Sequence, residues 1–468
     1  MSSTLMASCC FIISYKRPRP IIATFVPFLL LLFFFAVVVA ASSSSNGTAA
    51  ALHPGEELLR LERVRAQLAR SPDGDVIDCV PSHLQPAFEH PRLRGQKPEV
   101  SSGGGGGHGC RCRSSGAEPP SARPTETTRR RRRRRRSHAH GGGGGEHREE
   151  EDDGEHGLRQ AWWAAGEACP EGTIPVRRTT EADLLRASSA AAAGGRFGMK
   201  PRGVGVVGGA ARRDSTSSGH EHAVGYMSGG QFYGAKASLN VWPAKVASPA
   251  EFSLSQIWLI SGSFGNDLNT IEAGWQVSPQ LYGDNNPRFF TYWTNDAYQE
   301  TGCYNLHCSG FVQTNSRIAM GAAISPISSF AGRQFDITLL IWKDPKQGHW
   351  WLQLGSGALV GYWPSFLFSH LGARADMAQF GGEVVNTRPS GSHTPTQMGS
   401  GRFPGEGYGR AAYFRNVQVV DWDNNLIPAA ALRLLADHPA CYDIAGGQGA
   451  AWGRYFYYGG PGRNARCP

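Results

Sequence analysis

The sequence predicts an all-β, antiparallel domain over residues 220–468, preceded by a long, partly disordered pro-segment, and three observations carry this. From His220 onward, aromatic and β-branched residues come in short runs bounded by glycine and other turn formers. No strand-helix alternation interrupts these runs, which argues for a sandwich or barrel of about 250 residues rather than a parallel sheet. Ahead of them, Gly103–Gly107, Gly141–Gly145, Ala190–Ala193 and the eight arginines Arg129–Arg136 cannot bury enough apolar surface to offset the entropy of ordering.

Residues 1–41 have the layout of a signal peptide or signal anchor: Lys16, Arg17 and Arg19, then the apolar run Ile21–Ala41, then Ser42–Ser45. The run is long for a cleaved signal and Pro27 breaks it, leaving Phe28–Ala41 as its tighter part; association with a membrane is expected only if this segment is uncleaved. Either way the remainder enters the secretory lumen, with a sequon at Asn46-Gly47-Thr48.

Residues 42–213 read as the pro-segment. In His53–Arg70, Leu58, Leu59, Leu61, Val64 and Leu68 fall at helical spacing and predict an amphipathic helix. A low-complexity insertion spans residues 97–156. Two islands, Asp73–Leu93 and Gly157–Thr180, interrupt the biased composition. They read as pieces that pack on the mature domain, or as a small independent module.

The chain has 47 Lys and Arg against 38 Asp and Glu, a basic balance that raises the question of nucleic acid. From His220 onward the count is 16 against 16, so the excess lies wholly upstream and nucleic-acid binding by the folded domain is not expected. The arginine run has three readings: a solvated spacer, a site for basic-directed processing proteases, or a polyanion-binding arm.

The predicted strands are Gln231–Trp242, Phe252–Ser261, Glu272–Val277, Phe289–Thr294, Gly310–Thr314, Phe335–Lys343, His349–Gly355, Ala358–Trp363 and Ala411–Asp421. Ala429–Ala436 is the one short helix expected. Tyr292, Trp293, Trp350, Trp351, Tyr362 and Trp363 divide between core and cleft lining. Of the cysteines, Cys79, Cys110, Cys112 and Cys169 lie in the pro-segment, and Cys303, Cys308, Cys441 and Cys467 in the domain. The favoured pairing closes a short loop with Cys303–Cys308 and pins the C-terminal tail with Cys441–Cys467. Their wide spacing departs from zinc knuckles.

Common hydrolase signatures are missing. SGSFG (Ser261–Gly265) has the wrong spacing for a nucleophile elbow, and His220-Glu221-His222 puts neighbours on opposite faces of a strand. His307, His349, His370, His393 and His438 show no metal spacing and read as surface or loop residues, and no cofactor is expected. Carboxylates remain. The domain has six glutamates: Glu221, Glu251, Glu272, Glu300, Glu383 and Glu406. Glu272 sits among apolar neighbours in NTIEAGWQV, and Glu383 follows two glycines in AQFGGEVV. A strand carboxylate so flanked is costly to bury unless paired, so these two are candidates for a catalytic pair; the structural alternative is that each faces water or bonds a local N–H.

Around these residues the sequence resembles the neprosin family of plant secreted glutamic peptidases. The resemblance rests on IEAGWQVSPQLYGD (Ile271–Asp284), RFFTYWTNDAYQETGCYN (Arg288–Asn305), CSGFVQTN (Cys308–Asn315), WWLQLG (Trp350–Gly355), VGYWPSFLF (Val360–Phe368) and GGEV (Gly381–Val384). Upstream, DGDVIDCV with QPAFEHP, and CPEGTIPVRRT (Cys169–Thr179), look like that family's activation peptide. The resemblance implies a two-sheet β-sandwich with catalytic Glu272 and Glu383 facing one another across a cleft. Like charges held close cannot both ionise, so one would act as base on a water and the other as acid, at acidic pH. It also implies cleavage after proline. Two departures stand out: the expanded low-complexity insertion, and Phe380 where the family often has tryptophan, which is expected to alter the cleft wall.

The reading that follows is a secreted endopeptidase zymogen of the cell wall, apoplast or vacuole, acting on peptide or protein substrates, proline-rich ones among them. Its own pro-segment is the expected intramolecular inhibitor. The alternative is a non-catalytic extracellular β-sandwich that binds cell-wall polysaccharide or protein through an aromatic cleft.

Overall fold

A computed structural model describes residues 67–99, 125–126, 159–163, 168–192 and 219–468. The apolar run, the sequon, the arginine run, Cys110, Cys112 and residues 53–66 lie outside the described residues.

Two antiparallel sheets stack over one core. The first has seven strands in the order β10 (Cys303–Tyr304), β9 (Arg288–Thr294), β8 (Asn269–Val277), β7 (Ser253–Ser261), β15 (Ala375–Val385), β5 (His220–Phe232) and β18 (Arg433–Ala436). The second runs β11 (Val312–Gln313), β14 (Ala358–Trp363), β13 (Trp350–Leu354), β12 (Asp336–Lys343), β6 (Gly234–Asn240), β16 (Ala412–Val420), β17 (Asn425–Pro428). Its far edge is β3 (Thr125–Glu126), which pairs parallel with β17, and the hairpin of β19 (Asp443–Gly449) and β20 (Gly453–Gly459) joins at β16.

Alternation decides which side chains fill the space between the sheets. From the first sheet come Ile257, Leu259, Ala273, Trp275, Phe289 and Phe380; from the second, Leu239, Leu339, Ile341, Trp350, Leu352 and Phe414. The indole N–H of Trp275 donates to Asn240 O (3.0 Å) and that of Trp350 to Leu371 O (2.9 Å), so each ring is buried with its polar edge satisfied. Burying about 200 Å² of ring contributes about 5 kcal/mol at 25 cal/mol per Å².

The predicted strand Gln231–Trp242 is two strands, because the chain passes from one sheet to the other at Tyr233. Ala429–Ala436 is not helical. Its second half is β18, whose backbone groups pair with Ala223–Tyr226 on the open edge of β5, and edge pairing outweighs the helical preference of alanine and leucine. Strand β15, which carries Glu383, and the β19–β20 hairpin are absent from the predicted set. Phe380 points into the core and packs edge-on against Phe414 (6.5 Å), so the expected change to the cleft wall does not arise.

The pro-segment forms its own three-stranded sheet: β1 (Gln67–Arg70), β2 (Val76–Pro81) and β4 (Thr173–Arg177), followed by helix α1 (Glu181–Ala192). Gln67–Arg70, the end of the predicted amphipathic helix, is therefore strand. The Cys79–Cys169 disulfide ties the two islands together across 90 residues. Ala87, Phe88 and Leu93 pack on the outer face of the second sheet against Leu340, Trp342, Trp351 and Tyr362. Gln85 donates to Gln313 O (2.9 Å) and accepts from Gln313 N (2.7 Å), and Gln160 treats Ala319 in the same way (2.6 and 2.8 Å).

The domain holds Cys303–Cys308 and Cys441–Cys467. The second joins cysteines 26 positions apart at the chain end. By loop-closure entropy its removal in a Cys441→Ser, Cys467→Ser double variant is expected to cost about 3.5 kcal/mol, read as a lower denaturant midpoint with a slope no smaller than wild type, since the freed unfolded chain exposes more surface.

Candidate active site

Both glutamates stand on the outer face of the seven-stranded sheet, opposite the face that meets the second sheet. The register arranges this face in rows. One row crosses β9, β8, β7, β15 and β5 as Tyr292, Glu272, Trp258, Gln379 and Tyr226. The next is Phe290, Gly274, Gln256, Gly381 and Val224; the third is Arg288, Gln276, Leu254, Glu383 and His222. The two glutamates thus stand on a diagonal across one sheet face. Their backbones are two strands and four residues apart, about 16 Å from strand spacing and rise, with Gln256 midway. Both glutamates have zero exposure.

The middle row is bare on either side of Gln256. A Cβ on Gly274 would lie 2.0 Å from Ser255 O, and one on Gly381 2.4 Å from Ala223 O, while Gly381 also has φ +149°. Only glycine fits either place, so Gln256 is the one side chain of this row that stands between the glutamates.

Glu272 is held by three neutral donors, each at 2.8 Å: Thr270 Oγ1, two residues back on the same face; Gln256 Nε2; and the Tyr298 hydroxyl. Tyr298 comes from the loop after β9 and stacks on Tyr292 (5.8 Å). It and Ala297 have φ of 63° and 55°, a left-handed backbone that is costly for a bulky residue and that clusters at functional sites. Glu383 instead meets imidazoles. Its Oε1 bonds His220 Nδ1, and its Oε2 lies 4.0 Å from His222 Nε2. The other nitrogen of His222 bonds Asp437 Oδ2 (3.0 Å), and Asp437 also takes the His222 backbone N–H (2.9 Å). Asp437 thus fixes the His222 ring from its far side, while Glu383 lies in ion-pair range of the ring's other nitrogen.

His220, His222, Thr270, Gln256, Tyr298 and Asp437 were not among the sequence candidates. Alternation contained part of the signal, since His220 and His222 share a face in HEH and Thr270 and Glu272 share one in TIE. No local pattern points to Tyr298 or Asp437, which arrive through tertiary structure. His307 is a half-buried loop residue after β10, and burial pushes its imidazole down to about 4.

The neprosin family pattern matches residues 249–461, and that of the neprosin activation peptide matches residues 113–226. The chain belongs to the neprosin family. It is a glutamic-type peptidase carrying an activation peptide, hence a peptidase zymogen. The first island lies ahead of the matched activation-peptide span but is joined to it by β2–β4 pairing and by Cys79–Cys169. Scytalido-glutamic peptidase with a peptide-based transition-state analogue is similar at 14% identity over 51% of this chain and 97% of that one, TM-score 0.29. SCP-B, of the eqolisin family of peptidases, in complex with a tripeptide, is similar at 12% identity over 51% and 96%, TM-score 0.27. Among the described residues no helix is long and apolar enough to cross a membrane.

On the other side of β5 from His220 and His222, Glu221 lines a cavity of about 250 Å³ with Asn386, Arg388, His393, His438 and Pro468. His393 Nε2 and His438 Nδ1 each lie 3.0 Å from Glu221 Oε2. His393 also sits within 4.8 Å of the sulfurs of Cys441 and Cys467, but those are joined in the disulfide and cannot act as thiolate ligands. Burial pushes Glu221 up, and its bonds to His393 and Asn386 outweigh that, leaving it below its ordinary 4.5. Burial pushes His393 down, and the bond to Glu221 outweighs that, leaving it above its ordinary 6.5. The lowered carboxyl stabilises above pH 4.5 and loses that contribution as pH falls through its native value; the raised imidazole stabilises below pH 6.5 and loses it as pH rises through its native value. Thermal stability is therefore expected to peak between pH 4.5 and 6.5, and a Glu221→Gln variant to show a flatter melting-temperature profile.

Proposed function

We propose that the chain is a secreted endopeptidase zymogen that cleaves on the C-terminal side of proline at acidic pH, with Glu272 and Glu383 as its catalytic pair. The observation that carries this is the placing of two wholly buried glutamates on one face of the sheet, with Gly274 and Gly381 leaving the row between them bare on either side of Gln256. A water lying over this row would give one proton to the ionised glutamate as it attacks the scissile carbonyl. The protonated glutamate would hydrogen-bond the carbonyl oxygen and then protonate the leaving amine. The three disulfides among the described residues suit an oxidising compartment. The docked pro-segment suits an intramolecular inhibitor: it reaches the glutamate face at Arg288, in the row of Glu383.

The test is to express the full chain, acidify it, and follow self-truncation together with cleavage of a proline-containing peptide. Cleavage by the wild type across roughly pH 3 to 6 is expected, and its absence would sink the reading. Cleavage at bonds unrelated to proline would remove the specificity and keep the enzyme.

A further inference from the structure

We propose that Gln256 is a third working residue of this site, positioning Glu272 through its amide N–H and holding the attacking water with its carbonyl oxygen. The inference rests on the glutamate-pair reading above. Gln256 is wholly buried on β7, in a strand whose neighbours on the same face are Leu254, Trp258 and Ile260. Packing alone would be served by another apolar residue there, and a buried amide carries a desolvation cost wherever it is unmatched. Half of this amide is matched, by the 2.8 Å bond to Glu272 Oε2. The other half is not, since Oε1 is buried with no hydrogen-bond partner among the described residues.

The surroundings say what that oxygen is for. Gln256 is flanked in register by Gly274 and Gly381, so it stands alone between them, midway along the diagonal from Glu272 to Glu383. A neutral amide there offers a donor to one carboxyl and an acceptor to a water without adding a third negative charge. In the step, one water hydrogen goes to the ionised glutamate while Gln256 Oε1 holds the other. The water oxygen forms the new bond to the scissile carbon, and the carbonyl π pair moves to its oxygen, which takes a hydrogen bond from the protonated glutamate. The C–N bond then breaks as the nitrogen takes that proton.

The experiment compares full-length wild type, Gln256→Leu and Gln256→Glu on a fluorogenic proline-containing peptide. A trace of wild-type protein is supplied to process the variants and its rate subtracted, and folding is read by circular dichroism and thermal midpoint. Gln256→Leu is expected to lower kcat roughly 100-fold with KM within about threefold, as for a lost transition-state contact. Gln256→Glu sets a third carboxylate beside the pair and is expected to move the acid limb of the pH–kcat profile up by about one unit. Should the leucine variant not fold, the profile of the glutamate variant decides. Folded variants with kcat within about threefold of wild type and an unmoved profile, or with a loss confined to KM, overturn the inference. If Glu272→Gln and Glu383→Gln abolish cleavage while the Gln256 variants are normal, only this inference falls. If the wild type is inactive, or those glutamate variants stay active, the underlying reading falls and takes this with it.

Discussion

Glu383→Gln is expected to lower kcat by roughly 1000-fold or more, and Glu272→Gln to do the same, with the thermal midpoint of either protein little changed. The exchange keeps size and shape in two wholly buried side chains, so no cavity opens. At Glu383 the amide can still meet His220. At Glu272 the new amide oxygen can still accept from Thr270 and Tyr298, and a turn of the Gln256 amide lets its oxygen accept from the new NH2. What is lost in each case is a group that takes or gives a proton. Glu221→Gln is the control, because Glu221 is as buried, sits on the neighbouring strand β5 and faces the other way. If that variant is as inactive as Glu383→Gln, the loss comes from folding rather than chemistry. The double variant Glu272→Gln, Glu383→Gln sharpens the test: residues that act as one unit are non-additive, so it is expected to be no worse than either single. Losses that multiply would mean two independent effects.

Much of this site was legible because strand alternation is a strong signal. Apolar and glycine neighbours marked Glu272 and Glu383 as carboxylates with no route to water, and the family blocks around them gave the pair its meaning. The sandwich was legible for the same reason, since nine of its runs read as strands. What stayed hidden depends on which strands are neighbours. Gln256 acquires its place only because β7 lies between β8 and β15, strands separated by about a hundred residues of chain, and nothing local to SQIWL records that adjacency. The same holds for Asp437, brought to His222 by an edge strand that reads as helix in isolation. Phe380 shows the converse. Its inward direction follows from standing three residues before Glu383, on the opposite parity of one strand, so period two alone was enough to place it.

Asp75→Asn is expected to loosen the pro-segment and to move its release on acidification to higher pH. Asp75 joins the two parts of the protein: its carboxylate takes Arg288 Nη1 (2.5 Å) from the peptidase domain and Arg177 Nε (2.8 Å) from the pro-segment. Arg288 is 1% exposed and also bonds Asp284 and Gly321 O (2.8 Å), so its charge is buried and matched. Removing one partner of such a buried pair costs roughly 3–5 kcal/mol, more than 100-fold in docking. Burial pushes the Asp284 carboxyl up, but the bonds and charge of Arg288 outweigh it and leave it below its ordinary 3.8. A lowered carboxyl stabilises above that ordinary value and loses its contribution as pH falls through the native one. In the variant, Arg288 relies on Asp284, with Asp73 next at 4.0 Å, so acid removes the balance of its charge with less in reserve. The measurement is the pH at which the pro-segment becomes sensitive to an added protease, expected about one unit above wild type, with the peptidase activity of the freed domain unchanged. Release at the wild-type pH would mean that the apolar contacts of Phe88 and Leu93, rather than Arg288, hold the zymogen closed.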